Sequence, residues 1–349
     1  MTAIDKKTLI EKRVNEGLRG QWYPVCKSVE VKTTRPYGTK LLGEKIVLWR
    51  DGAGKLRCIE DFCPHRGAPL SYGEIHEGNI GCRYHGVIVD GGGVVVRVPA
   101  MPECALEGRK ALKSYEVTEA NDAVFVYVPS VDQPEAPELV MPDVMLDEEN
   151  WAGFLCTSVW EANYRYALDN LADPMHGCYL HAESFTLAYG SKQDLMKLDK
   201  TDKGFRIERV GQTGENFDWT EFEVYPGDMF CFLEIPYPPA AGPGGVFRII
   251  GFVTPMDEHT TKVFFWRMRE VKGLARESWR FLYRAKMEKT HWDVLEQDRV
   301  MLEGMPDDAR KREMLYQHDL GVSRIRQILT RAAKAQIESE LKQQSVAAE

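Results

Sequence analysis

Two short runs, Cys63-Pro64-His65 and Cys82-Arg83-Tyr84-His85, each pair a thiol with an imidazole, and sixteen residues separate His65 from Cys82. One tetrahedral zinc ion is the simplest use of two cysteines and two histidines, yet zinc sites usually take like pairs, Cys-x-x-Cys followed by His-x-x-His. A loop that offers one sulfur and one nitrogen suits a dinuclear centre, because each loop can then reach two different metal ions. The mixture makes sense if both cysteines serve one ion and both histidines the other.

A second group lies in DNLADPMHGCYLH, Asp169 to His181. His176 and His181 are five apart, which would set them roughly 140° apart on an ideal helix, so the helix must break or carry a π-bulge there, with Pro174 placed to assist. Two neutral imidazoles and one carboxylate with open positions opposite form the facial set of non-haem iron enzymes. Downstream, THWDVLEQDRVMLEGM offers Asp293, Glu296, Asp298 and Glu303. Only Asp298 has apolar residues at all its helical neighbours, Val294, Leu295, Met301 and Leu302, and a carboxylate on a buried stripe needs a cation. The alternative is a salt bridge to a core arginine such as Arg248 or Arg267.

These residues need two kinds of scaffold. From about Lys40 to Pro129 short β-rich runs alternate with turn signals: KIVLWRDGAGKLRCIED reads as a hairpin with Asp51-Gly52 at its tip and SYEVTEANDAVFVYVP as another. PSVDQPEAPELVMPD lacks a clear period and reads as a linker. Beyond it, SVWEANYRYALDNLADPMHGCYLH begins as a strand and turns helical, DWTEFEVYP, MFCFLEIPYP and GVFRIIGFVTPMDEHTTKVFFWRMRE read as strands, and Ala275 to about Met305 is a long amphipathic helix. The fold class is α+β: an all-β domain within 1–130, its core about 20–130, a linker at 131–150, an α+β domain with an antiparallel sheet at 151–335, and a polar, flexible tail at 336–349.

The chain has 349 residues, 44% of them hydrophobic, a net charge of -8 and eight cysteines. That charge and the lack of a Lys/Arg run argue against a nucleic-acid or anionic-membrane surface. Charges scattered through the N-terminus match neither a secretory signal nor an anchor, so a cytoplasmic protein is expected. The cysteines are too dilute for a disulfide scaffold. Nothing has the spacing of a nicotinamide or flavin fingerprint.

CPHRGAPL and CRYHG resemble the two loops of the Rieske 2Fe-2S centre, in which two histidines replace two cysteines on one iron. Val87 stands where that family often has Trp. No extra cysteine accompanies either loop, which resembles the lower-potential cytoplasmic type. Asn170, Asp173, His176, His181 and Asp298 match the pattern of Rieske oxygenase α-subunits, closest to the short, α-only type similar to dicamba, vanillate and phthalate oxygenases. The resemblance implies a helix-grip type catalytic domain, a 2Fe-2S cluster on Cys63, His65, Cys82 and His85, and a mononuclear Fe(II) on His176, His181 and Asp298, with Asn170 near it.

It also implies a homotrimer in which Asp173 bridges one subunit's His85 to the next subunit's His176, although an N-cap role for Asp173 is open as well. A separate reductase or ferredoxin fed by NAD(P)H would supply electrons, O2 would be activated, and a small aromatic or cyclic substrate, with or without an acid group, would be hydroxylated or demethylated. Arg248 is a candidate clamp for a substrate carboxylate, or a partner of a core acid, or a rim residue. An electron-transfer Rieske protein would need only the first constellation and a zinc module neither redox site.

Overall fold

The computed structural model describes residues 5–184, 193–211, 217–237 and 245–347. A short helix, α1 (Lys6–Glu16), precedes ten strands: β1 (Gln21–Lys27), β2 (Tyr37–Leu41), β3 (Glu44–Arg50), β4 (Leu56–Glu60), β5 (Glu74–His76), β6 (Asn79–Gly81), β7 (Ile88–Val89), β8 (Val95–Arg97), β9 (Val117–Ala120) and β10 (Ala123–Val128). They form three antiparallel sheets, β1-β10-β9, β2-β3-β4 and β5-β6-β7-β8. Turn chemistry sets the hairpins. The Asp51 carboxylate accepts the N–H groups of Ala53 and Lys55 at 3.0 Å each, closing the β3–β4 loop. Asn121 and Asp122 both have positive φ, 46° and 67°, as the two-residue β9–β10 turn requires. Val87 is buried with Val47, Trp49, Ile80 and Val89, so the smaller side chain still fills the core behind the loops.

The second half comprises α2 (Asp143–Leu146), β11 (Trp151–Trp160), α3 (Tyr164–Leu171), α4 (Gly177–Leu180), β12 (Met196–Lys200), β13 (Gly204–Arg209), β14 (Trp219–Tyr225), β15 (Asp228–Tyr237), β16 (Gly245–Pro255), β17 (Thr261–Glu270), α5 (Gly273–Leu282), α6 (Glu288–Glu303), α7 (Ala309–Arg312) and α8 (Leu320–Ala347). Strands β11 to β17 make one antiparallel sheet in the order β11-β17-β16-β15-β14-β13-β12. This is the α+β architecture the strand and helix patterns imply.

Strand alternation gives this sheet two apolar faces. Leu233, Ile235, Phe247 and Phe265 point toward the helices, where they meet Trp279, Tyr283 and Leu295. Phe230, Ile250, Phe252, Phe264, Trp266 and Met268 point the other way and pack on Trp22, Phe125 and Tyr127 of β1 and β10. The sheet is therefore the wall between the two halves. Segment 131–150 is packed into the same interface through Met141 and Met145 rather than hanging free. Polar ties cross it as well: Trp266 Nε1 donates to the Asn121 carbonyl at 2.7 Å, and Thr254 Oγ1 to that of Pro24 at 2.6 Å.

Two expectations are corrected. The segment from 336 is not a flexible tail: α8 continues to Ala347, with Gln336 and Ile337 buried. Val322, Ile325, Leu329, Ala333 and Ile337 recur at three- and four-residue spacing and form its apolar stripe, while Gln336 donates to the Arg19 carbonyl at 2.6 Å and accepts from Arg13 at 3.0 Å. The long helix from Ala275 is interrupted by a π-turn over Tyr283–Met287, between α5 and α6. Among the described residues no helix is long and apolar enough to cross a membrane.

Candidate metal centres

The two cysteine loops are near copies of one another in main-chain terms. Cys63 N–H donates to the Ala68 carbonyl and Cys82 N–H to that of Val87, both at 2.8 Å. Gly67 N–H returns to the Cys63 carbonyl at 2.8 Å and Gly86 N–H to that of Cys82 at 2.9 Å. Each loop turns on a glycine with φ near +78°, Gly67 at 78° and Gly86 at 77°. The result is polarised: both thiols are buried, at 2% and 3% exposure, while His65 and His85 are exposed, their rings 4.5 Å apart.

Burial pushes the Cys63 thiol up to about 11; the N–H of His65 opposes this and the neighbouring Cys82 adds to it. A thiolate at that depth needs a metal cation beside it. Four ligands of one tetrahedral zinc would lie roughly 3.8 Å apart. Among the described residues only His176, His181 and Asp298 form a group of three or more with ligand atoms all within 4.8 Å of one another. Cys63, His65, Cys82 and His85 do not converge on one point, so a cysteine end and a histidine end fit a two-metal cluster and not a single ion.

The second group assembles through a helix break. Asn163 caps α3, accepting from Arg165 N–H at 3.1 Å, and α3 stops at Leu171 because Pro174 cannot continue the ladder. Asp173 is extended, as a residue before proline prefers, and its carboxylate accepts Met175 N–H at 2.8 Å. A 3-10 turn, Pro174–His176, then runs into the single turn of α4, and His181 leaves it. The break therefore falls before His176 rather than between the histidines, and the chain's π-turn lies instead upstream of Asp298.

Asp298 reaches the same point from α6, where Leu295 and Leu302, one turn to either side, are buried with it. His176 Nε2 is 3.6 Å and His181 Nε2 3.3 Å from Asp298 Oδ1, and Asn170 Nδ2 donates to that oxygen at 3.2 Å. The other nitrogen of each imidazole is committed elsewhere: His181 Nδ1 to Gln297 Oε1 at 2.8 Å, and His176 Nδ1 to the carbonyl, not the carboxylate, of Asp173. Two Nε2 atoms and a carboxylate oxygen thus face one another, each held from behind, which is how metal-ligating histidines are oriented. Burial opposes protonation of His181, but Asp298 and then Gln297 outweigh it and raise its pKa.

A cavity of about 140 Å³ opens beside this group, walled by Leu233, Ile235, Phe247, Ile249 and Phe265 of the sheet and Val294 and Leu295 of α6. Arg248 is not in it. Alternation sends Phe247 and Ile249 to the cavity and Arg248 to the opposite face, where it pairs with Glu234 and lies 5.3 Å over the Trp151 ring. Arg248 therefore lies outside the cavity, paired with a half-buried acid, and is not placed to clamp a substrate there. Neither Arg248 nor Arg267 pairs with Asp298. Sequence reasoning missed Gln297, adjacent to the carboxylate, and His291, seven residues and so two turns before Asp298 on the same helical face.

Residues 21–116 match the Rieske [2Fe-2S] domain and residues 160–335 the vanillate O-demethylase oxygenase C-terminal domain. The chain belongs to the Rieske oxygenase family, and its cofactors are a Rieske 2Fe-2S cluster and a mononuclear non-haem iron. It is 35% identical over 166 residues to the vanillate O-demethylase oxygenase subunit of Pseudomonas sp. (strain HR199 / DSM 7063), 48% of this chain and 46% of that protein. It is also 35% identical over 172 residues to the terminal oxygenase component of carbazole 1,9a-dioxygenase from Metapseudomonas resinovorans, 48% of this chain and 44% of that one. The chain spans about half the length of these curated relatives. Its fold is similar to that of dicamba monooxygenase, with a TM-score of 0.71 at 19% identity, covering 91% of this chain and 98% of that one.

Proposed function

We propose that the protein is the terminal oxygenase component of a multicomponent Rieske oxygenase, a cytoplasmic homotrimer that hydroxylates a small aromatic or cyclic substrate with electrons from NAD(P)H through a reductase or ferredoxin. Cys63, His65, Cys82 and His85 hold the cluster; His176, His181 and Asp298 hold the iron. The observation that carries the reading is the convergence of His176, His181 and Asp298 beside an apolar cavity, with each Nδ1 occupied and each Nε2 free to face a metal.

When bound, the iron activates O2 with electrons that the cluster relays one at a time. The chain's own residues do the rest. Gln297 and the Asp173 carbonyl fix which imidazole nitrogen faces inward, Asn170 holds one oxygen of Asp298, and the apolar walls keep water from the reacting carbon. The Asp173 carboxylate borders an open groove with Tyr179, Met305 and Leu315, a surface suited to receive a neighbouring subunit's His85 in a head-to-tail trimer. Its capping bond to Met175 is compatible with that relay.

Demethylation is the second reading, favoured by the match of residues 160–335 to the vanillate O-demethylase domain. Hydroxylation of an O-methyl group leaves a hemiacetal that releases formaldehyde. A visible spectrum with iron and sulfide analysis of the purified chain is expected to give about three irons per two acid-labile sulfides. Oxygen uptake and formaldehyde release across aromatic acids and their methyl ethers then separate the two outcomes. A colourless, sulfide-free protein would sink both.

A further inference from the structure

Arg267 is the anomaly of the cavity wall. It lies on β17 in a cross-strand row with Ile249 and Phe154, its side chain is buried to 3% exposure, and it lines the same cavity as His176, His181 and Asp298. Elsewhere the buried Arg209 has carboxylates in Asp194 and Asp218, and the half-buried Arg326 has them in Asp169 and Glu313. Among the described residues Arg267 has only neutral partners. Its guanidinium donates to Tyr283 Oη at 2.9 Å and to the His291 carbonyl at 3.0 Å.

The neighbours of that guanidinium are equally unfinished. His291 also lines the cavity, its ring 4.7 Å from that of Phe247, and its buried Nδ1 has no hydrogen-bond partner. Burial, and then the charge of Arg267, hold His291 neutral by lowering its pKa to about 3. Tyr283 is the first residue of the π-turn, stacked 4.3 Å from Phe154; burial pushes its hydroxyl up to about 12, so it keeps a proton to donate while it accepts from Arg267. A buried cation with neutral neighbours is a costly arrangement unless a ligand completes it. Arg267 from the strand and His291 from the helix both line the cavity, with Tyr283 behind the guanidinium, and a forked cation so placed suits a planar carboxylate.

We propose that Arg267, beside His291 and positioned by Tyr283, is the substrate-selecting end of the cavity and takes the carboxylate of a single-ring aromatic acid, leaving the ring to extend toward His176, His181 and Asp298. The inference rests on the oxygenase reading for the identity of the opposite end. Size agrees, since 140 Å³ is close to the roughly 150 Å³ cavity that admits a benzene ring.

Calorimetric titration of the metal-loaded chain with benzoate and with benzamide, in the absence of O2, tests it. Benzoate is expected to bind about tenfold tighter than benzamide, because an ion pair with the guanidinium replaces a hydrogen bond from it to a neutral carbonyl. Arg267→Gln should erase that preference by weakening benzoate far more than benzamide, with iron and sulfide content unchanged, and Arg267→Lys should restore part of it. Tyr283→Phe, which keeps the stacking on Phe154, should weaken benzoate about threefold and benzamide not at all.

Equal affinity of the wild type for the two ligands, no binding of either, a preference that survives Arg267→Gln, or equal weakening of both ligands by Tyr283→Phe would overturn the assignment. Iron and sulfide counts report separately on the oxygenase reading, so a chain that prefers benzoate yet lacks sulfide would refute that reading and not this one.

Discussion

Cys63 and Cys82 are placed by main-chain hydrogen bonds in two short loops that repeat the same pattern, whereas His181 and Asp298 are held by side chains, Gln297 and Asn170, and only His176 by a main-chain carbonyl, on segments 122 residues apart in sequence (176 to 298). The loop pair leaves its imidazoles exposed and its thiols buried; the helix pair encloses its ligands and opens on a cavity instead. A group that only passes electrons can sit at a surface on a stiff backbone mount. A centre that must meet a substrate needs side-chain supports, which can be adjusted one at a time.

The largest effect that would sharpen this contrast is Asp298→Ala. It should abolish binding of the mononuclear iron and lower turnover about a thousandfold or more, with the cluster's visible spectrum unchanged. Loss of the spectrum would show that the two sites are not independently mounted. Asp173→Asn comes next: both metals should remain while coupled turnover falls roughly tenfold to a hundredfold, and activity equal to the parent would count against the relay. Gln297→Ala removes the acceptor behind His181 and should weaken iron affinity about tenfold, measurable by chelator competition.

Smaller effects probe the mounts themselves. His291, whose folded-state pKa lies near 3 against about 6.5 unfolded, is protonated more readily in the unfolded chain, so it contributes stability above pH 6.5 that is lost on acidification. At pH 5 the loss should be about 2 kcal/mol, and His291→Gln should flatten that part of the denaturation profile. Gly86→Ala should cost about 1–2 kcal/mol from positive φ alone, since the new Cβ meets only Pro99 at ordinary contact distance. At Gly67 the Cβ would come within 2.9 Å of the Phe62 ring, so the matching substitution should cost more. Equal losses in thermal melts would contradict the steric difference between otherwise matching loops.

Strands β14 to β17 and both hairpins were legible because their periods are clean and their turns carry Asp, Asn and Gly at the positions that need them. The buried setting of Asp298 was readable from its helical neighbours alone. Arg248 misled because alternation reveals which residues share a face but not which face meets the cavity; that is set by the opposing layer. The end of α8 was obscured by polar residues: only Ile337 and the apolar positions before it mark the stripe, and its partner α1 lies more than 300 residues away. Gln297 carries no local signal, since a glutamine beside a buried carboxylate looks like any solvent-facing helix residue until His181 arrives.

The alternation that misdirects the reading of Arg248 has a further effect. On β15, β16 and β17 the odd-numbered side chains line the cavity and the even-numbered ones cement the two halves together. Neighbouring positions on one strand thus answer to different demands, so drift at Leu233, Ile249 or Phe265 can reshape what the cavity admits without loosening the seam behind it. A scaffold partitioned this way can acquire new chemistry tastes while its two halves stay joined.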